Sequence, residues 1–223
     1  MRFALLALTG FAACTSAQAP SADEATAIDV VKKLGGKAEV ETKLSVEARI
    51  SVKFEVATDA TLTALRKHTN IGAIDVFDAT KCTDKGYGLL KELPHLRKLV
   101  LGKANMTLGA VAAIGQCKEL RHLGLVGTGV SDNELAGLKE LKLLEHLSLS
   151  DNPQITDKGM SSLKGLERLR VLYLNKTSIT DKGLLELKTL EGLRTLSVKG
   201  TKVTPETGDK FVDEMPNLRK IGL

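Results

Sequence analysis

One spacing constrains this chain more than any other feature. From Leu96 onward an L-x-x-L-x-L run returns every 24 or 25 residues, opening at Leu96, Leu120, Leu144, Leu169, Leu193 and Leu218, and Ile71-Ile74-Val76 fits one step upstream. Behind the runs comes a second block, Thr83-Asp84-Lys85-Gly86, Thr156-Asp157-Lys158-Gly159 and Thr180-Asp181-Lys182-Gly183, followed by apolar residues three apart such as Leu184, Leu187 and Leu190. The run reads as a short strand and the block as a short helix. Thr or Ser caps the orphan amides of the first turn, Asp at the first helical position complements the dipole, and the apolar stripe turns inward. Ser131-Asp132-Asn133-Glu134 forms a capping box, and Thr204-Pro205 sets Pro at the first helical position. Thr58-Asp59 precedes Leu62 and Leu65 in the same manner, behind an expected strand at Val52 and Phe54.

A strand and a helix of this size cannot bury an apolar stripe alone, so the units must stack. The expected fold is an α/β solenoid, a horseshoe or arc with a parallel sheet on its concave side and short helices on its convex side. Composition agrees with such a core. Hydrophobic residues make up 43 % of the chain but aromatics only 3 %, with no Trp, which favours one repeated aliphatic contact over an irregular interior.

The outline of L-x-x-L-x-L followed by T-D-x-G-L, running from about residue 49 to Leu223, resembles the leucine-rich-repeat family. The variant is similar to the cysteine-containing, F-box-associated type and to small exported bacterial proteins with the same outline. The resemblance implies a module that recognises a partner. At the ninth position of the repeat, where Asn or Cys is usual, stand Thr128, Thr177 and Thr201, with Asn only at Asn152. A continuous Asn ladder is therefore not assured.

The two ends read differently from the repeats. Residues 1–19 form an expected signal peptide, with a positive start at Arg2, an apolar stretch from Phe3 to Ala13 and a small-x-small site at Ala17-Gln18-Ala19. Cleavage after Ala19 is one fate. Lipid attachment at Cys14, behind Phe11-Ala12-Ala13, is the other. Residues 20–48 supply an N-terminal cap: Ser21-Ala22-Asp23-Glu24 is a capping box, Ile28, Val31 and Leu34 line one helical face, Gly35-Gly36 ends the helix, and Lys37 to Glu41 adds an edge strand. Residues 49–223 are the repeat domain. Its last run stops on Leu223, which leaves an edge open to fraying or to self-association.

Candidate chemistry concentrates on the strands. The third, fifth and seventh positions of each run face the concave side, where Phe77 and Tyr173 flank small residues in a shallow trough. His122 and His146 share one strand position in successive repeats, about 4.8 Å apart on a parallel sheet. Two imidazoles do not close a metal site, and their column neighbours Lys98, Val171 and Thr195 add no third ligand, so no metal is expected. Arg97, Arg121, Arg170, Arg194 and Arg219 share the second position, interrupted by Glu145. They form either a basic ridge suited to carboxylate, phosphate or sulfate groups or a solvated rim. Cys82 and Cys117 fall where other repeats carry aliphatic residues and read as buried substitutes for them. The acids Asp84, Asp132, Asp157 and Asp181 need no role beyond the helix dipole.

The inventory carries no nucleophile elbow, zinc-protease helix or phosphate-cradling glycine loop, so neither an enzyme nor a cofactor is expected. A net charge of +5, one unit of it in the leader, falls short of a nucleic-acid footprint. The expected partner is a protein, peptide or polysaccharide met outside the cytoplasm, with Arg97, Lys98, Arg121, His122, His146, Arg170, Tyr173 and Arg194 as the binding residues. Membrane contact is expected only through a lipid on Cys14. Two alternatives stand beside this: a self-assembling envelope component, and a substrate-recognition adaptor of the F-box type lacking the F-box.

Overall fold

A computed structural model describes residues 19–45 and 47–223. Residues 1–18 of the expected signal peptide, Cys14 among them, lie outside the described residues. Nine strands form one sheet in sequential order: β1 (Lys37–Ser45), β2 (Ala48–Thr58), β3 (Ile71–Lys81), β4 (Lys98–Gly102), β5 (His122–Val126), β6 (His146–Ser148), β7 (Val171–Tyr173), β8 (Thr195–Ser197) and β9 (Lys220–Gly222). Every neighbouring pair is parallel except β1 with β2. The helices are α1 (Ala22–Lys33), α2 (Asp59–Leu65), α3 (Asp84–Tyr87), α4 (Leu108–Ile114), α5 (Asp132–Leu135), α6 (Asp157–Met160), α7 (Asp181–Glu186) and α8 (Pro205–Glu214), with 3₁₀ turns behind α3, α5, α6 and α7. The chain is a leucine-rich-repeat arc, concave along the sheet and convex along the helices.

Register keeps the repeat in phase. Leu99, Leu123, Leu147, Leu172, Leu196 and Ile221 pair in one unbroken row, buried on every rung but the last, where Ile221 is half-buried. Just before each strand the second-position carbonyl accepts two amides of the next unit, as Arg97 O does from Arg121 N at 2.8 Å and His122 N at 2.9 Å. The arginine column therefore serves the ladder through its backbone whatever its side chains do.

The ninth position is resolved in two ways. Asn152 is fully buried: its Oδ1 accepts from Thr128 N and Gly129 N, and its Nδ2 donates to the carbonyls of Leu125, Leu149 and Ser150. The hydroxyls of Thr128, Thr177 and Thr201 instead donate to the carbonyl three residues back, each within its own unit. One position earlier the backbone turns left-handed at Lys103, Gly127, Asp151, Lys176 and Gly200, so Gly at two of these rungs meets a need that Lys and Asp meet with strain.

The convex side holds a contact that the dipole reading of the acids missed. Each first-position Asp reaches into the next unit and accepts from its helix-capping Thr. Asp59 takes the Thr83 amide and hydroxyl at 2.8 and 2.6 Å, Asp132 those of Thr156 at 2.8 and 2.6 Å, and Asp181 those of Thr204 at 2.8 and 3.0 Å. Asp84 accepts the Thr107 hydroxyl at 2.5 Å. A Cβ on Gly86, Gly159 or Gly183 would collide with the carboxylate reaching over it. The T-D-x-G signature is thus part of an inter-unit ladder, in which Gly86, Gly159 and Gly183 leave room for the Asp of the unit before, while Ala110 and Thr207 stand at that position in the units reached by Asp84 and Asp181. Capping by the Thr is weak at three of these rungs, where Thr83 makes no side-chain cap and Thr156 and Thr180 reach amides only at 3.4 and 3.3 Å, whereas Thr107 accepts from the Ala110 amide at 3.0 Å.

The cap departs from expectation in two details. The buried face of α1 is Glu24, Ala27 and Val31, with Ile28 packed beside it, while Leu34 is exposed because Gly35 turns the chain away at φ +78°. The edge strand runs to Ser45, past Glu41. Buried Glu24 fixes the cap by holding Arg49 of β2 with two hydrogen bonds, 2.9 Å to Nε and 2.8 Å to a terminal nitrogen, while also accepting the Ser21 amide at 2.7 Å.

Candidate binding surface

Side chains at three positions of each strand cover the concave face, because residues two apart in a strand share a side. The first column runs Ala73, Lys98, His122, His146, Val171, Thr195. The second runs Asp75, Val100, Gly124, Ser148, Tyr173, Ser197, and the third holds Phe77, Gly102 and Val126. Small side chains in the middle let the surface dip. Two adjoining hollows result, one of about 340 Å³ beneath the N-terminal cap and one of about 210 Å³ over β4–β7. Val100 and Val126 line both.

The trough is apolar where a solvent-facing sheet would ordinarily be polar. Phe77 is 61 % exposed, and Val126 and Tyr173 are each 39 % exposed. Lys103 Nζ stands 4.6 Å from the centre of the Phe77 ring, a cation–π contact. Next to Val100, Lys98 reaches Asp75 at 3.4 Å.

His122 and His146 stack, with ring centroids 4.2 Å apart and planes inclined by 21°. Burial pushes both imidazoles below the usual histidine range. For His122 the neighbouring His146 adds to this, and Glu145 opposes it at both. The stack therefore presents neutral aromatic surface at neutral pH. Ring-nitrogen lone pairs lie in the ring planes, so stacked rings send them side by side rather than toward one ion. Among the described residues no three His, Cys, Asp or Glu side chains gather as a metal site.

Four of the expected residues come together: Lys98, His122, His146 and Tyr173 line the smaller hollow. The arginines do not join them. Arg121 is tied to Glu145 at 2.8 Å, and Arg170 lies in a separate polar hollow with Glu167, Glu191 and Asn217, its guanidinium packed against Gly192. One buried guanidinium nitrogen each of Arg97, Arg121 and Arg170 has no hydrogen-bond partner among the described residues. Arg194 is exposed. The larger hollow under the cap was not anticipated from the repeat pattern, since its walls include Gly35 and Lys37 from outside the repeats. An alternation of apolar residues at Val100 and Val126, outward from buried leucines, was the available signal.

The cysteines take no part in this surface. Cys82 and Cys117 are buried and free, and burial pushes their thiols up to about 11 and about 12. Thiols held in that range are inert at neutral pH.

Comparison with known proteins agrees with the geometry. The family described as Leucine Rich repeat matches residues 140–164, the unit built around Asn152. Among solved structures, internalin C2 from Listeria monocytogenes is similar over 78 % of this chain and 73 % of its own, at 24 % identity and a TM-score of 0.56. That likeness is one of fold. No curated protein matches the chain.

Proposed function

We propose that this leucine-rich-repeat protein is a non-enzymatic recognition module that holds an extended protein segment in its concave trough. The observation that carries this is the contiguous exposure of Phe77, Val126 and Tyr173 around small residues on a sheet face that no other element among the described residues covers. Exposed apolar area of this kind marks interaction surfaces, and a shallow open trough suits a chain better than a compact small molecule. The neutral His122–His146 stack adds aromatic floor to it. In this reading the arginine column is mainly structural, with Arg97 and Arg194 left to contact a partner's rim. A location outside the cytoplasm belongs to the same proposal; Arg2, the apolar stretch and Ala17-Gln18-Ala19 support it as an export signal.

Selection of a random peptide library on the immobilised protein tests this. Selected peptides should bind the wild type and lose about two orders of magnitude in affinity against a Phe77→Ser, Val126→Ser, Tyr173→Ser variant, since central apolar anchors dominate such interfaces. A Leu185→Ser variant, altered on convex α7, should bind them unchanged. Peptides that bind the triple variant as well as the wild type would overturn the assignment.

A further inference from the structure

The hollow beneath the cap carries an electrostatic pattern that the fold itself does not resolve. Lys37 of β1 and Lys53 of β2 are direct cross-strand partners, and both line the hollow. Like charges directly opposite one another in a sheet destabilise it. The carboxylate placed to relieve them is Asp75, which pairs in register with Lys53, yet Asp75 turns to Lys98 on its other side. Neither Lys37 nor Lys53 forms an ion pair among the described residues. A third cation, Lys103, stands over Phe77 at the same hollow's rim. The floor between these charges is apolar, made by Phe77, Val100 and Val126.

An apolar floor bordered by unpaired ammonium groups is complementary to one kind of peptide. We infer that the hollow takes an apolar side chain flanked by acidic residues, with the apolar group against Phe77, Val100 and Val126 and a carboxylate set between Lys37 and Lys53. This rests on the concave reading above and adds the sign of the partner's charge. Glu55, which also borders the hollow, sets a limit on it: of the two lining carboxylates Asp75 is engaged by Lys98, which leaves a cationic segment Glu55 alone against Lys37 and Lys53, with Lys103 beside them on the Phe77 ring. The partner's carboxylate removes the Lys37–Lys53 repulsion, so recognition gains both the new pair and the relief of the old conflict. Electrostatic complementarity of this sort sets specificity and approach rate more than total affinity, while the apolar floor supplies the holding energy.

The probes are two blocked heptapeptides with one central Leu, flanked on both sides by Asp in one and by Lys in the other. Binding is read from amide chemical shifts, with the Gly102 and Gly124 resonances as reporters of the trough. The Asp peptide should bind about tenfold more tightly than the Lys peptide, and the difference should shrink when salt is raised to about 0.5 M. A Lys37→Glu, Lys53→Glu variant keeps a like-charged pair of opposite sign, so its fold should survive, checked by its thermal melting, and its preference should invert. A Lys53→Gln variant should bind the two peptides with a smaller difference than the wild type. Equal binding of both peptides at these amides, or an Asp preference unmoved by charge reversal, would overturn the inference while leaving the concave trough standing. Loss of all peptide binding in the Phe77, Val126, Tyr173 variant, judged separately by library selection, decides the trough itself.

Discussion

Asp157 in one repeat accepts both the backbone amide and the hydroxyl of Thr180 in the next, each at 2.7 Å. This pair repeats along the convex side, and its one interruption shows how it works. At the first position of α4 stands Leu108 in place of Asp, 57 % exposed. The next capping residue, Ser131, then has no carboxylate from the unit before, and its amide and hydroxyl go to its own Glu134 at 2.9 and 2.5 Å. Glu134 occupies the site that is Gly86, Gly159 or Gly183 elsewhere, and here no Asp of the unit before reaches over it, Leu108 standing in its place.

Two consequences follow for stability. Asp157→Ala should cost about 2 kcal/mol, because it removes a charged acceptor from two donors, one of them a backbone amide. Leu108→Asp alone should destabilise by bringing a second carboxylate onto Glu134, and Glu134→Gly alone by removing the capping box. Together they should restore the ladder and interact favourably. Urea midpoints for the four proteins of this cycle measure the coupling, and strict additivity would contradict the ladder.

The ladder also shows what the sequence conveys and what it hides. The strands, the convex helices and their phase were legible because Leu at fixed spacing can be buried in only one way. The Asp–Thr contact was not legible, since a dipole role accounts for an acid at a helix start and no single unit shows that its neighbour lies within reach. Leu34 misled for a related reason: helical spacing placed it on the apolar face, but the left-handed turn at Gly35 begins before that face can be used. The trough's lower half, with Lys98, His122, His146 and Tyr173, followed from strand parity. Its upper hollow depends on β1 folding back antiparallel beside β2, a tertiary event that repeat spacing does not encode.

The cap should loosen in acid. Hydrogen bonding from Arg49, with help from Ser21, holds Glu24 below the usual carboxylate range despite its burial. A carboxylate depressed in the folded state contributes stability above its unfolded value, near 4.5, and loses it as pH falls through the folded value. Glu24→Gln should cost about 3 kcal/mol at neutral pH, as expected for removing one partner of a buried pair, and should flatten this dependence. Amide exchange of α1 and β1 from pH 7 downward is the measurement, and an unchanged acid profile in the variant would refute the role.

The histidine stack titrates with the opposite charge but in the same sense. Both imidazoles are depressed below 6.5, so on acidification the unfolded chain takes up protons before the folded chain does. Stability should fall as pH drops from about 6.5 to the folded values and then level off. Peptide binding in the trough should change over the same window as the floor acquires charge. Replacement by His122→Gln, His146→Gln should remove this component, and proton resonances of the rings titrating at or above 6.5 in the wild type would contradict it.

The leader reading makes a separate prediction by mass. Expressed in full in a bacterial host, the exported product should begin at Pro20, or carry diacylglycerol on an N-terminal Cys14. An uncleaved product retained in the cytoplasm would reject export and with it the proposed location of the partner.

The most direct measurement is a map of amide shifts in the saturated complex with a library-selected peptide. Changes should concentrate on Phe77, Gly102, Gly124, Val126 and Tyr173 and leave the convex helices α5–α7 still. Changes centred on those helices, or on β9, would contradict recognition by the concave trough.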